Sequence, residues 1–282
     1  MIGMVRAMGK MKLSIITINW NNAEGLRKTL ESVAAQTNRN FEHIIVDGGS
    51  ADGSVDIIKD YEETIHRTPY TIRLLWISEK DKGIYNAMNK GIRMAKGEYL
   101  LFLNSGDALE NAEVVENFYK ADIKTDIATG IEKETNGHLI YPKKEEELSY
   151  SFFYDDTLMH QSTFIRRDAF ERFGMYNEDN RIVSDWEWFF NAIMKQDASY
   201  EPLDFVVANF DGTGMSNQEK WLQIHLEERE KVHQTILPRV RQDYNELMRL
   251  KDMETVYMHL KNGRFGWLVR LLLRFKQRNK KH

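Results

Sequence analysis

The sequence contains no cysteine. A disulfide framework, a thiolate metal site and a thiol nucleophile are therefore excluded. The absence favours a reducing compartment, and we expect a cytoplasmic protein. The first ten residues, MIGMVRAMGK, also lack an apolar run long enough for the centre of a signal peptide. We therefore predict that residues 1–11 form a disordered leader.

A surplus of positive charge is also missing. Lys and Arg together number 39 against 43 Asp and Glu, which gives a net charge of -4. Nucleic-acid binders neutralise phosphates with excess Lys and Arg, so no nucleic-acid partner is expected. The length of 282 residues and the hydrophobic fraction of 42% suffice for a sizeable core.

From Lys12 to Asp107 short apolar runs alternate with amphipathic helical segments. The runs are LSIITI, FEHIIVD, IRLLWIS and EYLLFLN. This alternation predicts an α/β fold with a parallel sheet covered by helices on both faces. Right-handed crossovers would make the sheet doubly wound.

Polar residues follow each predicted strand, and the carboxyl ends of parallel strands meet at one sheet edge. There is no Walker motif and no G-x-G-x-x-G after the first strand, which disfavours P-loop NTPases and dinucleotide-binding dehydrogenases. The acids suggest contacts to a base or ribose and coordination of a hard cation. Asp-Gly and Ser-Gly pairs are also ordinary turn formers. The strand-end segments are Asn19–Asn22, Asp47–Ser54, Glu79–Gly83 and Asn104–Asp107.

These segments resemble the inverting nucleotide-sugar glycosyltransferases of family 2. The motifs are SIITINWNN, DGGSADGS, EKDKGIYNAMNKGI and the acidic turn at the fourth strand, with a weaker match at Ser184-Asp185. The resemblance implies a GT-A fold, a mostly parallel Rossmann-like sheet flanked by helices with a helical C-terminal extension. It divides the chain into a domain at 12–215, with a nucleotide-sugar half at 12–107 and an acceptor half at 108–215, and an extension at 216–282.

The resemblance also implies site residues. Asp107 would bind Mn²⁺ or Mg²⁺, although Gly106 stands where the family usually has a first acid, so a second ligand such as His160 could contribute. Without the resemblance, Asp107 could simply cap a helix that starts near Asn111. The implied donor-binding residues are Thr17, Asn19, Asp47, Ser50, Asp52, Asp81, Lys82, Gly83, Asn86, Lys90 and Ser105.

In the acceptor half, Asn136-Gly137 predicts a hairpin turn between two short strands. Residues 158–165 predict a strand carrying His160, which is either a site residue or a core histidine. Ser184 is predicted to cap a helix. The resemblance makes Asp185, in the first turn, the general base that deprotonates the acceptor hydroxyl, with Glu187 as its nearest rival. Asp185 could alternatively complement the helix dipole.

The C-terminal part is charged and helical in pattern, with Pro238 predicted to break it. Residues 255–282 contain no acid and form a basic amphipathic pattern too short and too charged to cross a bilayer. This segment could lie on an anionic membrane, which would make the protein peripheral on the inner face of the cell membrane. A homodimer contact or docking on the domain is the alternative.

Together these features predict a metal-dependent inverting glycosyltransferase. Its donor would be a nucleoside-diphosphate sugar, with UDP expected, and its acceptor a hydroxyl of a saccharide or lipid-linked saccharide in bacterial exopolysaccharide, capsule or lipopolysaccharide synthesis. A non-catalytic nucleotide-sugar-binding scaffold tethered to membranes is one alternative. A sugar nucleotidyltransferase is another, but it normally has a glycine-rich basic loop where this chain has Trp20-Asn21-Asn22.

Overall fold

The computed structural model describes residues 11–67, 72–212, 214 and 218–262. The chain divides into two compact units after Arg229. The predicted disordered leader falls almost entirely outside the described residues, and so does most of the predicted basic tail.

The first part of the chain has the predicted alternation of strands and helices. Its elements are β1 Leu13–Asn19, α1 Ala23–Ala34, β2 Phe41–Asp47, α2 Ser54–His66, β3 Arg73–Ser78, α3 Ile84–Met94 and β4 Tyr99–Phe102. The four strands lie in the order β3-β2-β1-β4, and all three pairings are parallel. The predicted parallel sheet is therefore confirmed, with its carboxyl-terminal strand ends at one edge.

The remaining strands extend this sheet with mixed directions. The elements are β5 Ala108–Leu109, α4 Val114–Ala121, β6 Ile127–Glu134, β7 Leu139–Ile140, α5 Tyr150–Asp155, β8 Thr163–Arg166, α6 Ala169–Phe173, α7 Ser184–Gln196 and β9 Tyr200–Phe210. The order continues β4-β8-β6-β9-β5, and β7 pairs with β6. Strand β8 is antiparallel to both β4 and β6. This insertion brings the second half of the chain to the edge where β4 ends.

In this second half of the chain one local prediction is confirmed and two are corrected. The hairpin between β6 and β7 forms as predicted, with Gly137 at φ +85°. Residues 160–162 form a 3₁₀ turn, so the strand begins only at Thr163. Helix α4 begins at Val114, with Glu113 rather than Asp107 at the cap position, which removes the helix-capping explanation for Asp107.

Glycine lets α3 approach the sheet closely. A Cβ on Gly91 would lie 2.4 Å from the Ile16 side chain, so the helix backbone rests directly on β1. Tyr85 and Met88 are buried on the same side of α3. This close packing fixes the position of α3, which carries several predicted site residues, relative to the ends of the strands.

The C-terminal part consists of α8 Leu222–Ile236 and α9 Pro238–Asn262. Pro238 is the first residue of α9, a position where proline is tolerated because its missing N–H has no helical partner there. The predicted break at Pro238 is thus confirmed. Among the helices within residues 11–262 that the structure describes, none is long and apolar enough to cross a membrane.

Candidate active site

The ends of β1, β2 and β3 are joined through one carboxylate. Asn19 pairs in register with Asp47, and Asp47 pairs with Ser78. The Asn19 amide donates to Asp47 Oδ1 at 2.7 Å, and the Ser78 hydroxyl donates to Oδ2 at 2.6 Å. Ser50 adds its hydroxyl and its backbone N–H. The structure therefore brings Asn19, Asp47 and Ser50 together, as the parallel strand order requires.

Asp47 is fully buried, and both of its carboxylate oxygens accept hydrogen bonds from protein groups. Burial acts to raise its pKa, but hydrogen bonds from Ser50, Ser78 and Asn19 outweigh this and hold the pKa of Asp47 below its ordinary value. An ionised Asp47 accepts these bonds at neutral pH. Its direct effect in this conformation is to shape the three loops.

Two other predicted donor residues also act inside the protein. Thr17 is fully buried, and its hydroxyl lies 3.0 Å from His43 Nε2. Asp52 accepts from the Ala23 backbone N–H at 2.8 Å and from the Ser54 hydroxyl at 2.6 Å. Thr17 therefore lies beneath the edge, and Asp52 ties the start of α1 to the start of α2.

Asp81 and Lys90 form an ion pair at the rim of the same edge. Lys90 Nζ lies 2.5 Å from Asp81 Oδ1 and 2.7 Å from Glu79 Oε1. The Asp81 carboxylate and Trp20 both pack over Gly48, where an added Cβ would meet each of them at 3.2 Å. Trp20 is 71% exposed. Sequence analysis missed Trp20, although its place directly after β1 was a usable signal.

The start of α3 is organised by amide side chains. Gly83, at φ +139°, is the cap residue, a conformation that favours glycine. The Lys82 backbone N–H donates to Asn86 Oδ1 at 3.2 Å, and Asn86 Nδ2 donates to Glu178 at 2.8 Å. The Lys82 side chain is exposed. Asn86 thus links α3 to Glu178, which lies in the second half of the chain.

Side chains in α1 and just before it form hydrogen bonds with the backbone of the turn after β4. Thr29 Oγ1 accepts from the Gly106 N–H at 3.0 Å and donates to the Asp107 carbonyl at 2.6 Å. Lys28 Nζ donates to the Gly106 carbonyl at 2.7 Å. The Ser105 carbonyl accepts from Asn22 Nδ2 at 3.0 Å. The backbone of this turn is therefore fixed independently of any ligand.

Asp107 is buried at 5% exposure, and its Oδ1 accepts from the Asp211 backbone N–H at 3.0 Å. Burial raises the pKa of Asp107 to about 6. A Cβ on Gly106 would lie 3.0 Å from Asp211 Oδ2, so the Asp211 carboxylate occupies the space where a side chain at position 106 would stand. Sequence analysis missed Asp211, which follows β9, far along the chain.

Asp185 lies in the first turn of α7 and is held by two side chains. Tyr85 OH donates to Asp185 Oδ1 at 2.8 Å, and His160 Nδ1 lies 3.0 Å from Oδ2. The Asp185 side chain keeps 16% exposure. Burial acts to raise its pKa, but His160 and Tyr85 outweigh this and keep the pKa of Asp185 below its ordinary value. The predicted base is thus an ionised, oriented carboxylate.

His160 connects Asp185 to the turn after β4. Its Nε2 lies 3.2 Å from Asn104 Nδ2. Burial acts to lower its pKa, but Asp185, Asp107 and Glu132 outweigh this and raise the pKa of His160. Glu132, on β6, is buried, and burial raises its pKa to about 7. Neither Tyr85 nor Glu132 was predicted from the sequence as a site residue.

Glu187, the rival base, has a different environment. It accepts from Asn177 Nδ2 at 3.1 Å and from Asn180 Nδ2 at 2.6 Å. Both bonds tie the loop before α7 to the helix. The geometry therefore gives Glu187 a supporting role and leaves Asp185 beside the turn that ends at Asp107.

Comparisons with known proteins identify the family of this chain. The family model described as Glycosyl transferase family 2 matches residues 14–179. The PGL/p-HBAD biosynthesis glycosyltransferase of Mycobacterium bovis is 30% identical over 217 residues, which cover 73% of this chain and 79% of that protein.

Solved structures show the same fold at low identity. S. aureus TarS 1-349 in complex with UDP-GlcNAc has a TM-score of 0.61 and 18% identity, covering 90% of this chain and 74% of that one. A mannosyltransferase, PcManGT from Pyrobaculum calidifontis, in complex with GDP-Man and Mn²⁺, has a TM-score of 0.58 and 16% identity, covering 96% and 81%. In another TarS 1-349 structure the chain spans 66% of the solved chain. These likenesses confirm the GT-A fold.

The family model covers more than half of the chain, and a relative of 30% identity aligns along most of both lengths, so this protein belongs to glycosyltransferase family 2 and is a glycosyltransferase.

Proposed function

We propose that this enzyme is inverting and transfers a sugar from a nucleoside-diphosphate donor, UDP-linked in the first instance, to a hydroxyl of a saccharide or lipid-linked saccharide. The observation that carries the proposal is the Asp185 carboxylate. It is partly exposed, is held by Tyr85 and His160, and is linked through His160 to Asn104 in the turn after β4. A general base needs this combination of orientation, ionisation and access.

In the proposed reaction, Asp185 accepts the proton of the acceptor hydroxyl as the hydroxyl oxygen attacks the anomeric carbon. The bond from that carbon to the diphosphate oxygen breaks on the opposite side, and its electron pair leaves with the nucleoside diphosphate. One displacement inverts the anomeric centre and needs no covalent enzyme intermediate. Tyr85 and His160 orient the two Asp185 oxygens throughout, so no side-chain reorganisation precedes proton transfer.

The donor is proposed to lie across the ends of β1 to β3. The exposed ring of Trp20 offers a stacking face for the base. Asp81, Lys82 and Gly83 would follow the ribose and diphosphate, with Lys90 neutralising Asp81 and Glu79. The neighbours solved with UDP-GlcNAc and with GDP-Man support a nucleotide-sugar donor.

The residues present fit a divalent cation that takes most of its ligands from the donor. Within the described parts of residues 11–262, no group of three or more His, Cys, Asp or Glu could hold a metal. Both ring nitrogens of His160 already face protein partners, which disfavours it as a ligand. Asp107, with the Asp211 carboxylate beside Gly106, would hold Mn²⁺ or Mg²⁺ together with diphosphate oxygens and water. When bound, the cation would offset charge on the departing diphosphate.

The first test measures release of nucleoside diphosphate from UDP-, GDP- and TDP-sugars, with Mn²⁺ or with EDTA. We expect Asp185→Asn to lower turnover by roughly 10²- to 10⁴-fold while donor binding is kept. Glu187→Gln is the matched control, since it removes a carboxylate from the same helical turn. We expect EDTA and Asp107→Asn to lower turnover as well.

Two results would contradict the proposal. Full turnover in Asp185→Asn together with loss in Glu187→Gln would transfer the base role to Glu187. Donor binding without turnover by the wild-type enzyme on any donor would favour a nucleotide-sugar-binding scaffold.

We also propose that the acceptor belongs to bacterial surface-polysaccharide assembly and that residues 255–282 hold the enzyme on the inner face of the membrane. The relative's name, a PGL/p-HBAD biosynthesis glycosyltransferase, supports an envelope glycan. The acid-free sequence of 255–282 supports attraction to anionic lipid. Sedimentation with phosphatidylglycerol vesicles tests this, with phosphatidylcholine vesicles as the control. A dimeric enzyme that sediments with neither kind of vesicle would indicate that residues 255–282 form a subunit contact instead.

A further inference from the structure

Helix α7, which carries Asp185, begins without a cap of its own. Val183 occupies the cap position, but its side chain makes no capping hydrogen bond. Ser184, predicted as the cap, is instead the first helical residue, and its buried hydroxyl has no partner among the described residues. Ile182 and Val183, which lead into this helix, are buried. Their backbone N–H groups need acceptors, and another part of the chain has to supply them.

Glu228, on α8, is that acceptor. The backbone N–H of Arg181 donates to Glu228 Oε1 at 2.7 Å. The N–H groups of Ile182 and Val183 donate to Oε2 at 3.0 and 3.3 Å. Three successive backbone N–H groups thus surround one carboxylate, an arrangement that suits an anion. The negative charge also lies at the positive end of the α7 dipole.

The next residue on α8 holds the other side of the same segment. The Arg229 guanidinium lies over the Trp186 ring, 4.6 Å from its centroid. Arg229 Nη2 donates to the Asp156 carbonyl at 2.8 Å, and Trp186 Nε1 donates to the Phe153 carbonyl at 2.9 Å. Glu228 therefore fixes the backbone before Asp185, and Arg229 packs on the residue after it.

Tyr85 connects the backbone at Ile182 to the Asp185 side chain. Its hydroxyl lies 2.5 Å from the Ile182 carbonyl and 2.8 Å from Asp185 Oδ1. Ile182 is therefore held at its N–H by Glu228, and its carbonyl shares the single Tyr85 hydroxyl proton with Asp185 Oδ1. A shift of Ile182 would change how that hydroxyl orients Asp185.

We propose that Glu228 is a positioning residue for Asp185, so that α8 completes the active site. Helix α8, like Asp185 and the segment 181–183, lies beyond the residues 14–179 that the family model matches. The inference rests on the proposed role of Asp185 as the general base. Glu228 acts on Asp185 through the backbone of residues 181–183 and touches no substrate.

The first experiment measures amide hydrogen exchange across residues 181–187 in the full-length enzyme. Glu228→Ala is expected to speed exchange at 181–183, because those N–H groups lose their acceptor. Glu227→Ala is the matched control. Glu227 is exposed on the same helix, and its side chain accepts from Gln223 Nε2 at 2.7 Å rather than from the backbone before α7. Unchanged exchange at 181–183 in Glu228→Ala would overturn the proposal.

The second experiment measures UDP release from UDP-GlcNAc and GDP release from GDP-mannose. Glu228→Ala is expected to lower kcat by roughly 10- to 100-fold, the scale of a displacement of about 1 Å in a catalytic group. The donor KM should stay unchanged, because the donor half lies elsewhere. Glu228→Gln keeps one acceptor oxygen and should lose less. A structural defect would instead lower the fraction of folded enzyme, which thermal unfolding of each variant reports.

A double-variant cycle connects Glu228 to Asp185. If Glu228 acts through Asp185, then Glu228→Ala lowers kcat no further once Asp185→Asn is present. Losses that multiply would overturn the positioning role. Wild-type kcat in Asp185→Asn would overturn the proposed base itself. Wild-type kcat in Glu228→Ala beside an impaired Asp185→Asn would overturn only the role of Glu228.

Discussion

Restoring the acid that family 2 usually has at position 106 should damage this enzyme. Gly106 has φ +110°, a conformation that costs a residue with a side chain about 1–3 kcal/mol. A Cβ there would also lie 3.0 Å from Asp211 Oδ2. Crowding of this kind typically costs a further 1–3 kcal/mol or so. We therefore expect Gly106→Ala to destabilise the protein by about 2–6 kcal/mol in total.

Gly174 provides a matched control. It has a similar φ of +98°, but an added Cβ would meet nothing within 4 Å. Gly174→Ala should therefore cost only the backbone strain, about 1–3 kcal/mol. Urea denaturation of both variants gives the two free energies of unfolding. In an Asp211→Ala background, the destabilisation caused by Gly106→Ala should fall toward that caused by Gly174→Ala in the wild-type protein.

Gly106→Asp should be less stable than Gly106→Ala, because its carboxylate would stand beside those of Asp107 and Asp211. Turnover should fall rather than rise. If Gly106→Ala destabilises no more than Gly174→Ala, or if Gly106→Asp gains activity, then Asp211 does not fill this space and the explanation for the missing acid is wrong.

Two further substitutions test the surroundings of the site, and a third tests an ion pair at the start of β6. Thr29→Val removes the hydroxyl that holds the turn after β4, and we expect a loss of about 1–3 kcal/mol in urea denaturation together with lower turnover. Tyr85→Phe removes the hydroxyl bonded to Asp185, and we expect roughly a tenfold lower kcat with an unchanged donor KM in the nucleotide-release assay. Burial acts to raise the pKa of Asp126, but hydrogen bonds from Arg172 outweigh this and keep that pKa below its ordinary value in the folded protein. The stability this gives is present above the unfolded pKa and is lost as the pH falls through the folded one, so Asp126→Asn should be less stable near neutral pH and lose less on acidification.

The strand and helix elements of the donor half could be predicted because their signals are local. Apolar runs such as FEHIIVD and the spacing along α3 depend only on neighbouring residues. Boundaries were less certain where a polar residue interrupts an apolar run. Residues 158–165 were predicted as one strand, but the chain turns at His160 so that this ring can meet Asp185 and Asn104.

The predicted donor residues gather at one edge, yet their present roles differ. Asp47 and Asp52 organise loops, and Thr17 lies in the core. A sequence motif indicates which residues stand near a site, but it does not indicate which hydrogen bonds they already make. Trp20 was named only as part of the segment after β1, and Glu132 went unnoticed because a single acid carries no periodic signal.

For residues 12–107 the sequence by itself determined the order of strands and helices, the polar segments at the strand ends and the likeness to family 2. These follow from local periodicity and from motifs. Only the tertiary structure decided which distant residues meet. Tyr85 reaches Asp185 across 100 positions, and Asp211 enters the space left by Gly106. The antiparallel insertion of β8 between β4 and β6, which no local pattern encodes, brings His160 beside Asn104, just after β4.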